Sequence, residues 1–229
     1  MNSKRILVLG IGNLLWADEG FGVRCVEALN AGWRFPPQVT LMDGGTQGLY
    51  LLPYVQQADC LLVFDAVDYG DPAGALREVV GDQVPRFMGA KKMSLHQTGF
   101  QEVLMAAELT GKLPAELVLI GVQPEELEDY GGSLRDVVKR QMVPSLNHAL
   151  DWLERWGAPG SVRDGEADAL TDAALAIDAY EAGRPSADLA YRLGDARFLN
   201  LEGTVPTLAA QAAPLGGALP WGGPAEGRA

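Results

Sequence analysis

Three short apolar runs, each stopping at a turn that carries an acidic residue, limit what this chain can fold into. Ile6-Leu7-Val8-Leu9 runs into Gly10-Ile11-Gly12-Asn13 and then Asp18-Glu19-Gly20. Val39-Thr40-Leu41-Met42 stops at Asp43-Gly44-Gly45-Thr46, and Leu61-Leu62-Val63-Phe64 stops at Asp65. Runs this short and this continuous in Leu, Ile and Val read as strands buried on both faces. Helical spacings lie between them: Val23, Val26 and Leu29 after the first run, Leu49, Leu52 and Val55 after the second. Strand, helix, strand, helix, strand predicts a doubly wound, mostly parallel sheet with helices on both faces. Ligands bind such a sheet outside the carboxyl ends of its strands. Glu19, Asp43 and Asp65 are therefore delivered to one edge, and His96, in a later loop, can reach the same place. A Glu, an Asp and a His together form an oxygen and nitrogen donor set that suits a borderline divalent metal such as nickel or zinc.

Further elements follow from the same patterns. Strands are expected at 4–10, 38–43, 59–65 and 117–122, with a polar-alternating edge strand at 75–80. Helices are expected at about 19–31 with Asp18 as N-cap, at 47–57 with Pro53 weakening the first turn, and at 97–110 with Phe100, Val103, Leu104 and Leu109 apolar and Gly111 as the cap. A last helix runs from a Ser133 cap to about Arg155, kinked at Pro144. Residues 81–95 read as a loop, and a long loop in a compact α/β domain is more often functional than decorative. After Gly157-Ala158-Pro159-Gly160 the composition shifts. Residues 1–157 are thus expected to form one domain and 158–229 a C-terminal extension, helical over 166–182. Residues 204–229, rich in Ala, Gly and Pro, read as a flexible tail.

A formal net charge of -12 argues against nucleic acid or an anionic membrane as partner. The apolar runs fall well short of the roughly 20 residues that span a bilayer. Ile6 onward meets glycines too soon for a signal peptide. A cytoplasmic protein is expected. Cys25 and Cys60 are the two cysteines, with no Cys-x-x-Cys, and are expected to be buried reduced thiols.

Each motif has a plainer reading. Gly10-Ile11-Gly12 suggests a dinucleotide fingerprint, and Asp43 a ribose binder, but the third glycine belongs at position 15, which is Leu. The two glycines also suit a tight turn. Glu19 alone suits a helix first turn, Asp65 a turn cap, His96 an exposed loop, and His148 a helix face. There is no Gly-x-Ser-x-Gly elbow and no His-Glu-x-x-His helix. Asp43 and Asp65, on adjacent strand ends, could share a proton in the manner of aspartyl protease carboxylates, although spacing alone does not establish it.

Ile6 to Leu15, Asp18-Glu19-Gly20-Phe21-Gly22-Val23, Asp43-Gly44-Gly45-Thr46, Phe64-Asp65-Ala66-Val67, Ser94-Leu95-His96-Gln97 and Leu119 to Glu125, taken in order, resemble the [NiFe]-hydrogenase maturation endopeptidases over about residues 4–155. The resemblance implies a three-layer sandwich, a twisted and mostly parallel sheet flanked by helices. It implies removal of a short C-terminal peptide from the hydrogenase large-subunit precursor once nickel has been inserted there. It also implies that Glu19, Asp65 and His96 are ligands that sense nickel supplied by the precursor, and that Asp43 to Thr46 (with Gly44 and Gly45) wall the substrate cleft. The tail after residue 157 is longer than this family leads one to expect. On chemical grounds such an ion polarises a carbonyl or a water, with Asp43 or Asp65 as general base. The alternatives are a non-catalytic nickel-checking chaperone for the same precursor and a nucleotide-binding α/β protein. A monomer is expected.

Overall fold

The computed structural model describes residues 3–88 and 95–184, with the side chains of 86–88 and 95–98 outside that description. The five-stranded sheet consists of β1 (Ile6–Ile11), β3 (Val39–Gly45), β4 (Cys60–Ala66), β5 (Leu76–Val80) and β6 (Glu116–Val122), in the order β3-β1-β4-β6-β5. Neighbours run parallel except β5, which pairs antiparallel with β6 at one edge. A separate antiparallel pair joins β2 (Trp33–Arg34) to β7 (Ser161–Val162).

Strand alternation divides the core into two layers. Ile6, Val8, Cys60, Leu62, Phe64, Val118 and Ile120 pack with Phe21, Val26 and Leu29 of helix α1 (Phe21–Gly32) and with Leu146, Ala149 and Leu153 of helix α6 (Met142–Arg155). Leu7, Leu9, Leu61, Val63, Leu117 and Leu119 pack with Val55 of helix α2 (Leu52–Val55) and with Phe100, Val103, Leu104 and Ala107 of helix α4 (Leu95–Leu109). This is the expected three-layer sandwich. Cys25 and Cys60 are buried and free, and burial pushes the Cys60 thiol up to about 11. Among the described residues no helix is long and apolar enough to cross a membrane.

Several local expectations need correction. Helix α1 starts at Phe21 behind a 3-10 turn, Ala17–Gly20, and Asp18 does not cap it. The 47–57 helix is a 3-10 turn, Gly48–Leu51, followed by the short α2, with Pro53 in its first turn; Leu49 is exposed. The 81–95 segment includes a helix, α3 (Gln83–Met88), anchored by buried Val84, while 89–94 lie outside the described residues. Leu109 faces solvent, and Gly111 (φ +66) ends α4 as expected. The last helix is two, α5 (Asp136–Lys139) and α6, interrupted at 140–141. Pro144 sits in the first turn of α6, where its missing N–H leaves no bond unmade. Ser133 donates its hydroxyl to Glu181 instead of capping.

Between 166 and 182 only a 3-10 turn, Ala173–Leu175, and helix α7 (Ile177–Gly183) form. The compact unit continues past residue 157 to Arg184. Ala158 is fully buried, and the segment beyond it lies along α1. Asn30 Nδ2 donates to the Asp168 carbonyl at 2.8 Å, Arg163 Nε to the Asn30 carbonyl at 2.8 Å, and Arg24 to the Leu175 carbonyl. The expected flexible tail, 204–229, lies outside the described residues.

Candidate functional site

The loop after β1 is held by close main-chain packing. Gly12 adopts φ +133, and a Cβ there would lie 1.7 Å from the carbonyl oxygen of Glu19. A Cβ on Gly10 would lie 2.3 Å from the Gly22 carbonyl, so these glycines let α1 close against the sheet. Ala17 takes φ +39, a left-handed conformation that L-residues rarely adopt. The next residue, Asp18, is fully buried. Its Oδ2 accepts the backbone N–H groups of Glu125 and Glu126 at 2.8 and 2.9 Å, and its Oδ1 that of Arg135 at 2.7 Å. Asp18 thus ties the β1–α1 loop to the loop after β6. Glu19 follows, buried at 8% exposure.

Asp65, next to last in β4, is 1% exposed and registers with Gly121 of β6. It shares alternation with Leu61 and Val63, so it leaves the sheet on the α4 face. Asp43, two residues before the end of β3, is in phase with Val39 and Leu41, which pack on the α1 side. Burial pushes the Asp43 carboxyl up, the Gly45 N–H opposes this, and the charges of Glu27 and Arg24 on α1 also reach it. Strand β1 lies between β3 and β4. Asp43 and Asp65 are therefore neither on adjacent strands nor on one face, and the proton-sharing pair considered from the sequence is not assembled. The Gly44–Gly45 turn adjoins the first loop, with Gly12 N–H donating to the Gly45 carbonyl at 3.1 Å, and Thr46 is exposed beyond it.

His96 lies in the first turn of α4 and not in a loop. That turn is at the carboxyl edge. A Cβ on Gly99 would lie 3.5 Å from the Gly48 Cα just beyond the Asp43–Thr46 turn, while Thr110, past the other end of α4, bonds Gln56 ahead of β4. Glu19, Asp65 and the helical turn bearing His96 thus share one end of the sheet. Among the described residues no three His, Cys, Asp or Glu side chains cluster as a metal site, and the His96 imidazole lies outside them. His148 is exposed on α6, 3.1 Å from Glu78, as a helix-face residue.

Sequence reasoning missed Tyr69. It is 5% exposed, and its hydroxyl stands 1.9 Å from where a Gly121 Cβ would be, so the ring occupies the place of the absent side chain beside Asp65. Its N–H donates to Gln123 Oε1 at 2.7 Å, and the Arg77 guanidinium lies 5.3 Å over its ring. Only the glycine in Leu119-Ile120-Gly121-Val122, inside a buried strand, hinted at a close approach.

A family model described as hydrogenase maturation protease matches residues 23–152. The hydrogenase expression/formation protein HoxM of Azotobacter vinelandii is 64% identical over 199 residues, covering 87% of this chain and 96% of its own. The hydrogenase 2 maturation protease of Escherichia coli K12 is 38% identical over 160 residues, covering 70% of this chain and 97% of its own. Among solved structures, the hydrogenase maturating endopeptidase HybD from E. coli matches with a TM-score of 0.66 at 38% identity, covering 69% of this chain and 98% of its own. Sheet, edge and relatives agree: this chain belongs to the hydrogenase maturation protease family.

Proposed function

We propose that this endopeptidase removes the C-terminal peptide of a nickel-loaded [NiFe]-hydrogenase large-subunit precursor. The observation that carries this reading is the gathering of buried Glu19, buried Asp65 and the first turn of α4, with His96, at one sheet edge in a chain of this family. Two carboxylates and an imidazole suit a borderline divalent ion. The ion is part of the substrate: it arrives on the precursor, and Glu19, Asp65 and His96 complete its shell. A metal in that position polarises a carbonyl. The Asp43–Thr46 turn walls the cleft in which the scissile bond lies. Asp65 being engaged as a ligand, Asp43 is the carboxylate left as general base, and burial brings its affinity for a proton nearer to what that work needs. Water adds to the carbonyl carbon, its proton passes to Asp43, and the leaving amine takes the proton as the C–N bond breaks.

The test is to incubate purified protein with precursor prepared with and without nickel. A shortened large subunit is expected only with nickel, and His96→Ala should leave the precursor uncut while its thermal unfolding is unchanged. Normal cleavage by that variant overturns the ligand set. Binding of loaded precursor with no change in subunit size, even by the parent protein, points instead to a nickel-checking chaperone.

A further inference from the structure

We propose that the open edge of β3 is the track on which the precursor's C-terminal peptide docks, adding to the sheet as an extended antiparallel strand that leads the scissile bond to the Asp43–Thr46 turn; this rests on the reading of the protein as the peptidase of that precursor. The argument starts with the ladder. β3 is the last strand on its side of the sheet. The Ile6 N–H donates to the Gln38 carbonyl at 2.8 Å, and Ile6 registers with Val39. In a parallel pair of that phase the main-chain groups of 38, 40 and 42 turn toward β1, and those of 39, 41 and 43 turn outward. The Val39 N–H is taken by the Pro36 carbonyl at 3.0 Å. Among the described residues the N–H and C=O of Leu41 and the N–H of Asp43 have no partner, and the Asp43 carbonyl has the Gln47 amide at 3.5 Å.

Such a row is a template for another chain, and edges not meant for pairing are blunted by charge, proline or a bulge. The opposite edge follows that rule. β5 carries Arg77 and Glu78, which engage Asp71 and His148. β3 instead presents Val39, Thr40, Leu41 and Met42, with no charge or proline before Asp43. This open edge is continuous with the turn that walls the cleft and with the general base. Direction follows from the same arrangement. The body of the precursor and its nickel sit at the carboxyl edge, with Glu19, Asp65 and His96. The tail beyond the cut therefore runs from that edge toward the amino end of β3, antiparallel to it. Strand addition draws affinity from main-chain hydrogen bonds and specificity from pockets for alternate side chains. Thr40 is in phase with Met42, which packs on the α2 and α4 layer. On that side Gln38, Thr40, Tyr54 and Gln57 help to line a groove of about 190 Å³, which receives a tail side chain.

The test places single prolines at successive positions of the tail, starting a few residues past the cut, and reads kcat/KM for cleavage of nickel-loaded precursor by the parent enzyme. In an antiparallel pair every second residue gives its N–H to the neighbouring strand, and proline has none to give. The expected pattern has a period of two: kcat/KM about tenfold lower at alternate positions and little changed between them. On the enzyme, Leu41→Pro removes an outward N–H and no bond to β1. It should lower kcat/KM by about tenfold, with no further loss from a proline at the tail position that faces it. Should that variant not fold, the scan on the parent enzyme decides alone. Equal losses at every tail position, or none, overturn the proposal while cleavage of the unaltered precursor leaves the proposed function standing. No cleavage of the unaltered precursor overturns both. A stable dimer of the parent in sedimentation, lost in Leu41→Pro, would give the edge to a second copy and also overturn the proposal.

Discussion

Gly12 and Glu19 meet through main chain alone, the absent Cβ of one lying 1.7 Å from the carbonyl of the other. Gly12→Ala must both strain a φ of +133 and push that carbonyl away. The expected loss is about 3 kcal/mol in urea unfolding, together with loss of precursor cleavage because Glu19 moves. An alanine variant with parental stability and cleavage would contradict this account of the loop.

Asp18 offers two oxygens to three amides. In Asp18→Asn one oxygen becomes an NH₂ that faces donors. Hydrogen bonds to a charged group contribute about 1.5–3 kcal/mol each, so a loss of about 3 kcal/mol is expected in equilibrium unfolding. At a helix N-cap Asn serves about as well as Asp, so a loss near zero would restore the cap reading.

Asp43 carries a carboxyl raised by burial. The unfolded chain ionises near about 3.9, so the folded state pays for the charge above its raised value and not below the unfolded one. Asp43→Asn should therefore unfold at higher denaturant at pH 7, the gain fading as pH falls toward about 4, while cleavage falls. Lower stability of the Asp43→Asn variant at pH 7 would contradict the burial argument.

Arg5 holds the Asp59 carboxyl down to about 2, using Nε, Nη2 and its own N–H. A depressed value contributes stability that is present above the unfolded carboxyl's value and lost as pH falls through the folded one. The pair is exposed, so the contribution is small. Arg5→Met should lower the denaturant midpoint slightly at pH 6, and the gap should close between about pH 4 and about pH 2. A gap that persists at pH 2 would assign the effect to the arginine stem.

Arg24 is 3% exposed, bonds Glu27 and the Leu175 carbonyl, and lies 5.7 Å from the Tyr180 ring. Arg24→Met keeps the stem and removes these ties. Amides of 165–184 should exchange faster by about tenfold while the sheet keeps its protection. Unchanged exchange there would mean that the remaining bonds hold the segment alone.

Much of the fold was legible because buried parallel strands are written as continuous apolar runs. β1, β4 and β6 fall within a residue or two of their expected bounds, and β5 reads as the polar edge it is. Strand order is not written locally. Nothing near Asp43 or Asp65 says that β1 intervenes, so their placement on opposite faces emerges only from topology. Asp18 looked like a cap because its partners lie 107 to 117 residues away. The α5–α6 break and the irregular course of 166–182 reflect docking against Lys139, Ser133 and α1, where tertiary bonds replace helical ones. His96 was found by its residue type, but its helical setting was hidden in a stretch without clear periodicity. Tyr69 was invisible because its meaning depends on a glycine 52 positions later in the chain.

The grip of Asp18 is blind to side-chain identity, since it holds peptide amides and nothing else. The side chains at 125 and 126 can therefore change in charge or size, retuning what the rim presents to an incoming protein, while the tether stays intact. The one replacement it forbids at positions 125, 126 and 135 is proline, which has no amide hydrogen to give.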